Sequence, residues 1–302
     1  MLKAAKREKV SQDVEGPYCK IGVSCMQGWR WFMEDAHAVV ADLDTKGMAY
    51  VGVFDSHISP RAAQFCAQNM HARILDRAPL DDLGLVLHKS FMDMDGEFRG
   101  TIKDPSDPDS VFRAGGCTAT VVLLSDRGTK VTVAGVGDCR CVASRAGVAE
   151  ELSRDHKPDL PDERERIEAA GGSVTFGRLK DLNVSRGIGD YRLKIPADLP
   201  PEKQQLSAAP EIREATVVGD PGIEFVVVAS DGVWECRSSQ EVVDFVRGKL
   251  MESESQGGPL VSRICEELMD SCVKAKNPKD KDEPGTTDNI TMAILVPVPA
   301  CV

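Results

Sequence analysis

The chain has 302 residues, 42% of them apolar, enough to bury a full core as one large domain or two small ones. A net charge of −11 argues against a nucleic-acid surface, which needs clustered Lys and Arg, and no run reaches the ~18–20 apolar residues of a membrane span. Ten cysteines without one Cys-x-x-Cys pair speak against zinc and for a reducing compartment; with no apolar segment in residues 1–7, a cytoplasmic or nuclear location is expected.

Residues 1–18 are charged and aperiodic and are expected to form a flexible N-terminal arm ahead of a single domain over 19–302. Residues 21–25, 36–43 and 48–54 read as strands, rich in β-formers or alternating. Ser59-Pro60 reads as a helix start, and Ala62, Phe65, Cys66, Asn69 or Met70, and Leu75 give that helix one buried face. A second helix is expected over 82–99, then a Pro- and Asp-rich loop over 101–116. Three strands follow at 117–124, 130–135 and 139–144, the first two joined by a turn at Asp126-Arg127-Gly128.

A helix at about 161–170 stops at Gly171-Gly172, and the polar, Pro-rich 191–222 is expected to be a surface flap. Residues 223–230 are almost wholly apolar and read as a central strand buried on both faces. Ser238-Ser239-Gln240-Glu241 is a capping box opening a helix to about 251. A helix at 259–275, a charged loop at 277–287 and a last strand at 290–296 complete the chain. The loops at 101–110 and 277–286 are candidate partner-binding segments. Grouped strands and separate helices indicate an α+β or layered α/β architecture rather than a parallel doubly wound sheet.

Five short acidic segments carry the chemistry. They are Arg30 to Asp35, Val53 to His57, Gly137 to Arg140, Ser230 to Glu235, and Thr287-Asp288-Asn289. Most adjoin an apolar run, which puts their carboxylates at strand ends, the way a protein gathers a multi-carboxylate metal site. Oxygen donors without cysteine favour Mg²⁺ or Mn²⁺, and two such ions clamp a phosphoryl group. Glu34, Asp55, Asp231 and Asp288 are the candidate ligands. A calcium-binding protein is disfavoured, because no Asp-rich loop has the right spacing.

Gly28-Trp29-Arg30-Trp31-Phe32-Met33-Glu34-Asp35-Ala36-His37 resembles the opening motif of the metal-dependent serine/threonine phosphatases of type 2C. The later motifs agree in order: Gly115 to Ala119, Gly137 to Arg140, Asp155 to Pro158, Glu168 to Gly172, Asn183 to Asp190, Ser230 to Trp234, and Thr287 to Asn289. Together they span about residues 20–297. The resemblance implies a four-layer α/β/β/α sandwich of two antiparallel sheets flanked by helices. It implies a metal-bridged hydroxide that hydrolyses phosphoserine and phosphothreonine in phosphoprotein substrates; separately, the chain is expected to be a monomer.

Carried over by position, Asp55 bridges two metals, Glu34 and the backbone carbonyl of Ser56 bind one, and Asp231 and Asp288 bind the other. Asp35 holds a metal-bound water, Arg30 grips the phosphate, and His57 is the candidate general acid. Asp138 and Glu235 fall where a weaker third metal sits. Two departures stand out. Ser56-His57-Ile58-Ser59 replaces the family's Gly-His-Gly-Gly, adding bulk and disfavouring a positive φ. Glu235 stands where Asp is usual. The altered loop supports the alternative of a catalytically inactive, phosphatase-like binding or regulatory module.

Overall fold

The computed structural model describes residues 1–77, 81–254, 260–274 and 285–298. Two antiparallel sheets stack face to face. The first runs, in spatial order, β1 (Lys6–Gly16), β2 (Cys19–Gly28), β14 (Ile290–Pro297), β13 (Ile223–Ala229), β7 (Arg140–Arg145) and β8 (Val148–Glu151). The second runs β12 (Glu211–Thr216), β6 (Lys130–Val136), β5 (Gly116–Ser125), β4 (Ala49–His57) and β3 (Asp35–Val40), and the two-residue β11 (Ile188–Gly189) also pairs with β5.

The apolar strands are explained by what covers each face. In β4, Ala49, Val51 and Val53 point between the sheets, while Tyr50 and Phe54 point at α1 (Arg61–Leu75) and α2 (Leu83–Gly100). In β13, Val226 and Val228 join the inter-sheet core, while Phe225 and Val227 face α6 (Ser239–Glu254) and α7 (Val261–Cys272). The layers are therefore helix, sheet, sheet, helix. Strands buried on both faces have no polar face to alternate with, so they read as continuous apolar runs. β13 is central, with β14 and β7 on either side.

The expected helices are present, and Ser238 and Glu241 do form a reciprocal cap: Ser238 N–H donates to Glu241 Oε2 at 2.8 Å and Glu241 N–H to Ser238 Oγ at 3.3 Å. Three expectations need correction. Residues 1–18 are not a loose arm, because residues 6–16 form edge strand β1 on β2. Asp13 fastens that strand to the start of α7, accepting the Ser262 N–H at 2.9 Å. Gly22 beneath is forced: a Cβ there would lie 2.2 Å from the Ser262 nitrogen.

The loop at 101–116 contains α3 (Pro108–Ala114), with Asp107 as N-cap and Pro108 at its first position. The flap at 191–222 ends in strand β12, whose edge position leaves Glu211, Arg213 and Glu214 in solvent or ion pairs. Most of the charged loop at 277–287 lies outside the described residues, as does residue 259. No helix among the described residues is long and apolar enough to cross a membrane.

A carboxylate cleft at the ends of both sheets

Antiparallel pairing brings the acidic segments to one end of the sandwich. The cleft there, of about 310 Å³, is lined by Arg30, Glu34, Asp55, Ser56, His57, Asp138, Asp231, Glu235 and Asp288. The start of β3 and the end of β4 meet in register, so Asp35 pairs with Asp55. Asp231 opens the single-turn α5 (Asp231–Trp234) directly after β13, and Asp288 precedes β14 beside it. Asp138 sits in the turn between β6 and β7. Of the ten candidate site residues, nine line this cleft; the tenth, Asp35, is buried beneath it, next to Asp55 in the strand register.

Neighbours hold each ligand-bearing segment. Asn289 is the central clamp: its Oδ1 accepts the Glu34 N–H at 2.8 Å, and its Nδ2 donates to the carbonyls of Gln27 at 2.8 Å and Phe32 at 3.1 Å. Gly28, at φ +64°, lets β2 pass the Asp288 carbonyl, which a Cβ would approach to 2.5 Å. Ser230 Oγ donates to Asp35 Oδ2 at 2.9 Å and accepts the Thr291 N–H at 3.0 Å, locking β13 to β14 under the cleft.

The electrostatics of the cleft are those of crowded, buried carboxylates. Burial, reinforced by Asp35, Asp231, Asp288 and Asp138, pushes the Asp55 carboxyl well above the usual carboxylate range. Burial and the neighbours Asp138, Asp288 and Glu235 do the same to Asp231. Asp35 is pushed up to about 6, chiefly by burial. Oδ1 of Asp35 and Oδ1 of Asp231 are buried with no hydrogen-bond partner. Carboxylate oxygens of Asp231, Glu235 and Asp288 all lie within 4.8 Å of one another. Crowded, desolvated, unpartnered carboxylates of this kind fit a divalent cation.

Two cations of the chain already sit on this cluster. Arg30 is ion-paired to Asp288 with its side chain 46% exposed, and Lys157 Nζ donates to Asp138 Oδ2. The structure thus groups Glu235 with Asp231 and Asp288, and Asp138 with Lys157. The longer Glu235 side chain is held by Thr286 Oγ1, which donates to Glu235 Oε2 at 2.8 Å.

The departures in the loop after β4 are resolved locally. The positive φ falls on Ile58, at +71°, and not on Ser56. Ser56 Oγ accepts the Ala63 N–H at 2.8 Å, satisfying a free donor in the first turn of α1. Replacing glycine by serine therefore gains the helix a cap while leaving the Ser56 backbone carbonyl in place.

Several site residues escaped the sequence reading. Asp190, only 3% exposed, bonds His57 Nε2 through Oδ2 at 2.5 Å. Burial acts to lower the His57 pKa, but the bond and charge of Asp190 outweigh it and raise it. Asp190 lies in the motif Asn183 to Asp190, yet nothing in its spacing says that it reaches β4. Arg178 and Asp181, ahead of the flap in the chain, line the same cleft. Glu163 anchors the segment leading into the 191–222 flap: Arg166, Arg186 and the Ser185 hydroxyl converge on its buried carboxylate.

A family model described as protein phosphatase 2C matches residues 19–280. The chain belongs to the protein phosphatase 2C family. It is 37% identical to the probable protein phosphatase 2C 11 of Oryza sativa subsp. japonica, over 97% of this chain and 89% of that one. It is 38% identical to the probable protein phosphatase 2C 21 of Arabidopsis thaliana, over 90% of this chain and 86% of that protein. Among solved structures, serine-threonine phosphatase 2C from Toxoplasma gondii superposes with a TM-score of 0.74, covering 96% of this chain and 99% of the other at 19% identity. At that identity the match supports the fold alone, and the fold is the same layered sandwich.

Proposed function

We propose that this member of the protein phosphatase 2C family hydrolyses phosphoserine and phosphothreonine in proteins and depends on Mg²⁺ or Mn²⁺. One observation carries the reading: every carboxylate of the expected ligand set reaches a single cleft, where Asp231 keeps a buried oxygen without a partner, as does Asp35 beneath it. Asp55, Glu34, the Ser56 carbonyl, Asp231 and Asp288 would hold two cations, with Glu235 and Asp138 available to a third. Cations held there would supply Lewis-acid neutralisation of the phosphoryl oxygens and a water acidified to near neutral pH.

The chain's own groups do the rest. Arg30 presents a planar fork of N–H donors with nearly half its side chain in solvent, suited to bidentate contact with phosphate oxygens. Asp35, with one oxygen fixed by Ser230 and the other free, orients a water toward the cleft. Because Asp190 takes His57 Nε2, the proton for the departing serine or threonine oxygen is carried on His57 Nδ1. The raised pKa keeps more of the ring in the imidazolium form that can donate it. Substrate, nucleophile and acid are held by three different strand ends, so little reorganisation is needed.

Asp55→Asn and Asp231→Asn should each lower phosphothreonine-peptide turnover by at least about 100-fold at saturating Mn²⁺, while the far-ultraviolet circular dichroism stays unchanged. A fully active Asp55→Asn protein would exclude this mechanism.

A further inference from the structure

Two cysteines meet where the acidic cluster joins the helix layer. Cys236 follows Glu235 just after α5, and Cys272 is the last residue of α7. Both are free thiols; Cys236 is partly exposed and Cys272 fully buried. They pack in one apolar cluster and are hydrogen-bond partners. The residues beside them are joined too, with Arg237 Nη2 donating to Ser271 Oγ at 3.2 Å. The hydrogen bond from Cys236, aided by the Arg237 charge, outweighs burial and lowers the Cys272 pKa, which favours a reactive thiolate. Thr286 connects this pair to the cleft. Its N–H donates to the Cys272 carbonyl at 2.7 Å, while its hydroxyl donates to Glu235 Oε2 at 2.8 Å and accepts the Asp288 N–H at 3.1 Å.

We propose that Cys236 and Cys272 are a redox modification site, at which a hydroperoxide forms a reversible disulfide that weakens cation binding in the cleft. The effect on cations rests on the metal-dependent reading above; formation of the bond does not. The Cys236 sulfur, the exposed one, attacks the hydroperoxide, breaking its O–O bond, releasing an alcohol (water from hydrogen peroxide) and becoming a sulfenic acid. The Cys272 sulfur then attacks the Cys236 sulfur, and the displaced hydroxide leaves as water with the remaining thiol proton. The two thiols lose two electrons in all, and the hydroperoxide accepts them. Covalent bonding draws the sulfurs closer than thiol contact allows, so the ends of α5 and α7 shift together. Glu235 adjoins Cys236 and Thr286 hangs on Cys272, so that shift disturbs the grouping of Glu235 with Asp231 and Asp288. Cys66 and Cys117, with sulfurs 3.8 Å apart, are an internal comparison: both are fully buried, and burial pushes the Cys117 thiol well above its usual range. That pair should stay reduced.

The test treats folded protein with hydrogen peroxide, blocks free thiols, and maps disulfides by mass spectrometry alongside calorimetric titration with Mn²⁺. A Cys236–Cys272 link should form before any other and vanish with dithiothreitol. The oxidised protein should bind Mn²⁺ about tenfold more weakly than the reduced protein, the scale on which supports of metal ligands act, and dithiothreitol should restore the affinity. Cys272→Ser should bind Mn²⁺ equally well with and without peroxide. Absence of the link, or prior linkage of Cys66 to Cys117, overturns the modification site. A link that leaves Mn²⁺ affinity unchanged, or an affinity loss that peroxide still causes in Cys272→Ser, overturns the coupling to the cleft. Failure of the reduced protein to bind Mn²⁺ is a different result and removes the metal-dependent reading itself.

Discussion

Replacing Asp35 by Asn should stabilise the metal-free protein, and the gain can be worked from the structure. Asp35 is buried beside Asp55, and burial pushes its carboxyl up to about 6 from the ordinary 3.8. Below pH ~4 the folded and unfolded chains both hold this proton, and the group costs nothing. Between pH ~4 and ~6 the unfolded chain releases it first, so stability falls as pH rises. Above ~6 the whole cost is present: two pH units at 1.36 kcal/mol each, about 3 kcal/mol.

An Asn side chain cannot ionise, its oxygen can still accept from Ser230, and its amide can face the Asp55 carboxyl. Urea unfolding in EDTA should therefore show Asp35→Asn about 3 kcal/mol more stable than the parent at pH 7.5 and roughly equal at pH 4. Adding Mn²⁺ at pH 7.5 should shrink the difference, because a nearby cation offsets the cost of the buried charge. A variant no more stable at pH 7.5, or one with an equal advantage at pH 4, would refute the idea that uncompensated carboxylate charge destabilises this cleft.

Other consequences are separate. Burial acts to raise the Glu163 pKa, but Arg186 and Arg166 outweigh it and hold it at about 2, so the group stabilises the fold above pH ~4.5 and loses that contribution as pH falls toward 2. Glu163→Gln should cost about 3 kcal/mol in urea melts at pH 7, with a gap that narrows in acid; a gap independent of pH would contradict it. Ser56→Gly strips the Ala63 N–H of its acceptor and should lower stability by about 1–2 kcal/mol in thermal melts, with peptide turnover retained through the Ser56 carbonyl's glycine equivalent. Arg30→Lys keeps the charge but not the fork, and should reduce kcat/KM for phosphopeptides about tenfold or more; an unchanged value would remove Arg30 from phosphate binding.

Much of the cleft was legible because its residues are polar where the flanking strands are not. Asp55 ends the run Val51-Gly52-Val53-Phe54 and Asp231 ends Val226-Val227-Val228-Ala229, so strand and ligand announce each other. Strands β1 and β12 were illegible for the converse reason. Both lie at sheet edges, where one side is solvent, and Lys6-Arg7-Glu8-Lys9 or Glu211-Ile212-Arg213-Glu214 gives no apolar period to read. Helix α3 carried its signal, Asp107 then Pro108, but within a stretch whose composition resembled a loop. The contacts of Asp190 with His57 and of Asn289 with Glu34 span 133 and 255 residues, and side-chain chemistry at such separations follows only from the packed sheets. The φ of +71° at Ile58 is equally invisible in sequence, where a β-branched residue argues against it.

The most direct test of the account is hydrolysis of a phosphothreonine peptide by the purified protein with Mn²⁺, with Mg²⁺ and with EDTA. Phosphate release that requires either cation and stops on chelation is the predicted result. Folded protein that releases no phosphate with either cation, or that releases it equally in EDTA, would contradict a metal-dependent phosphatase.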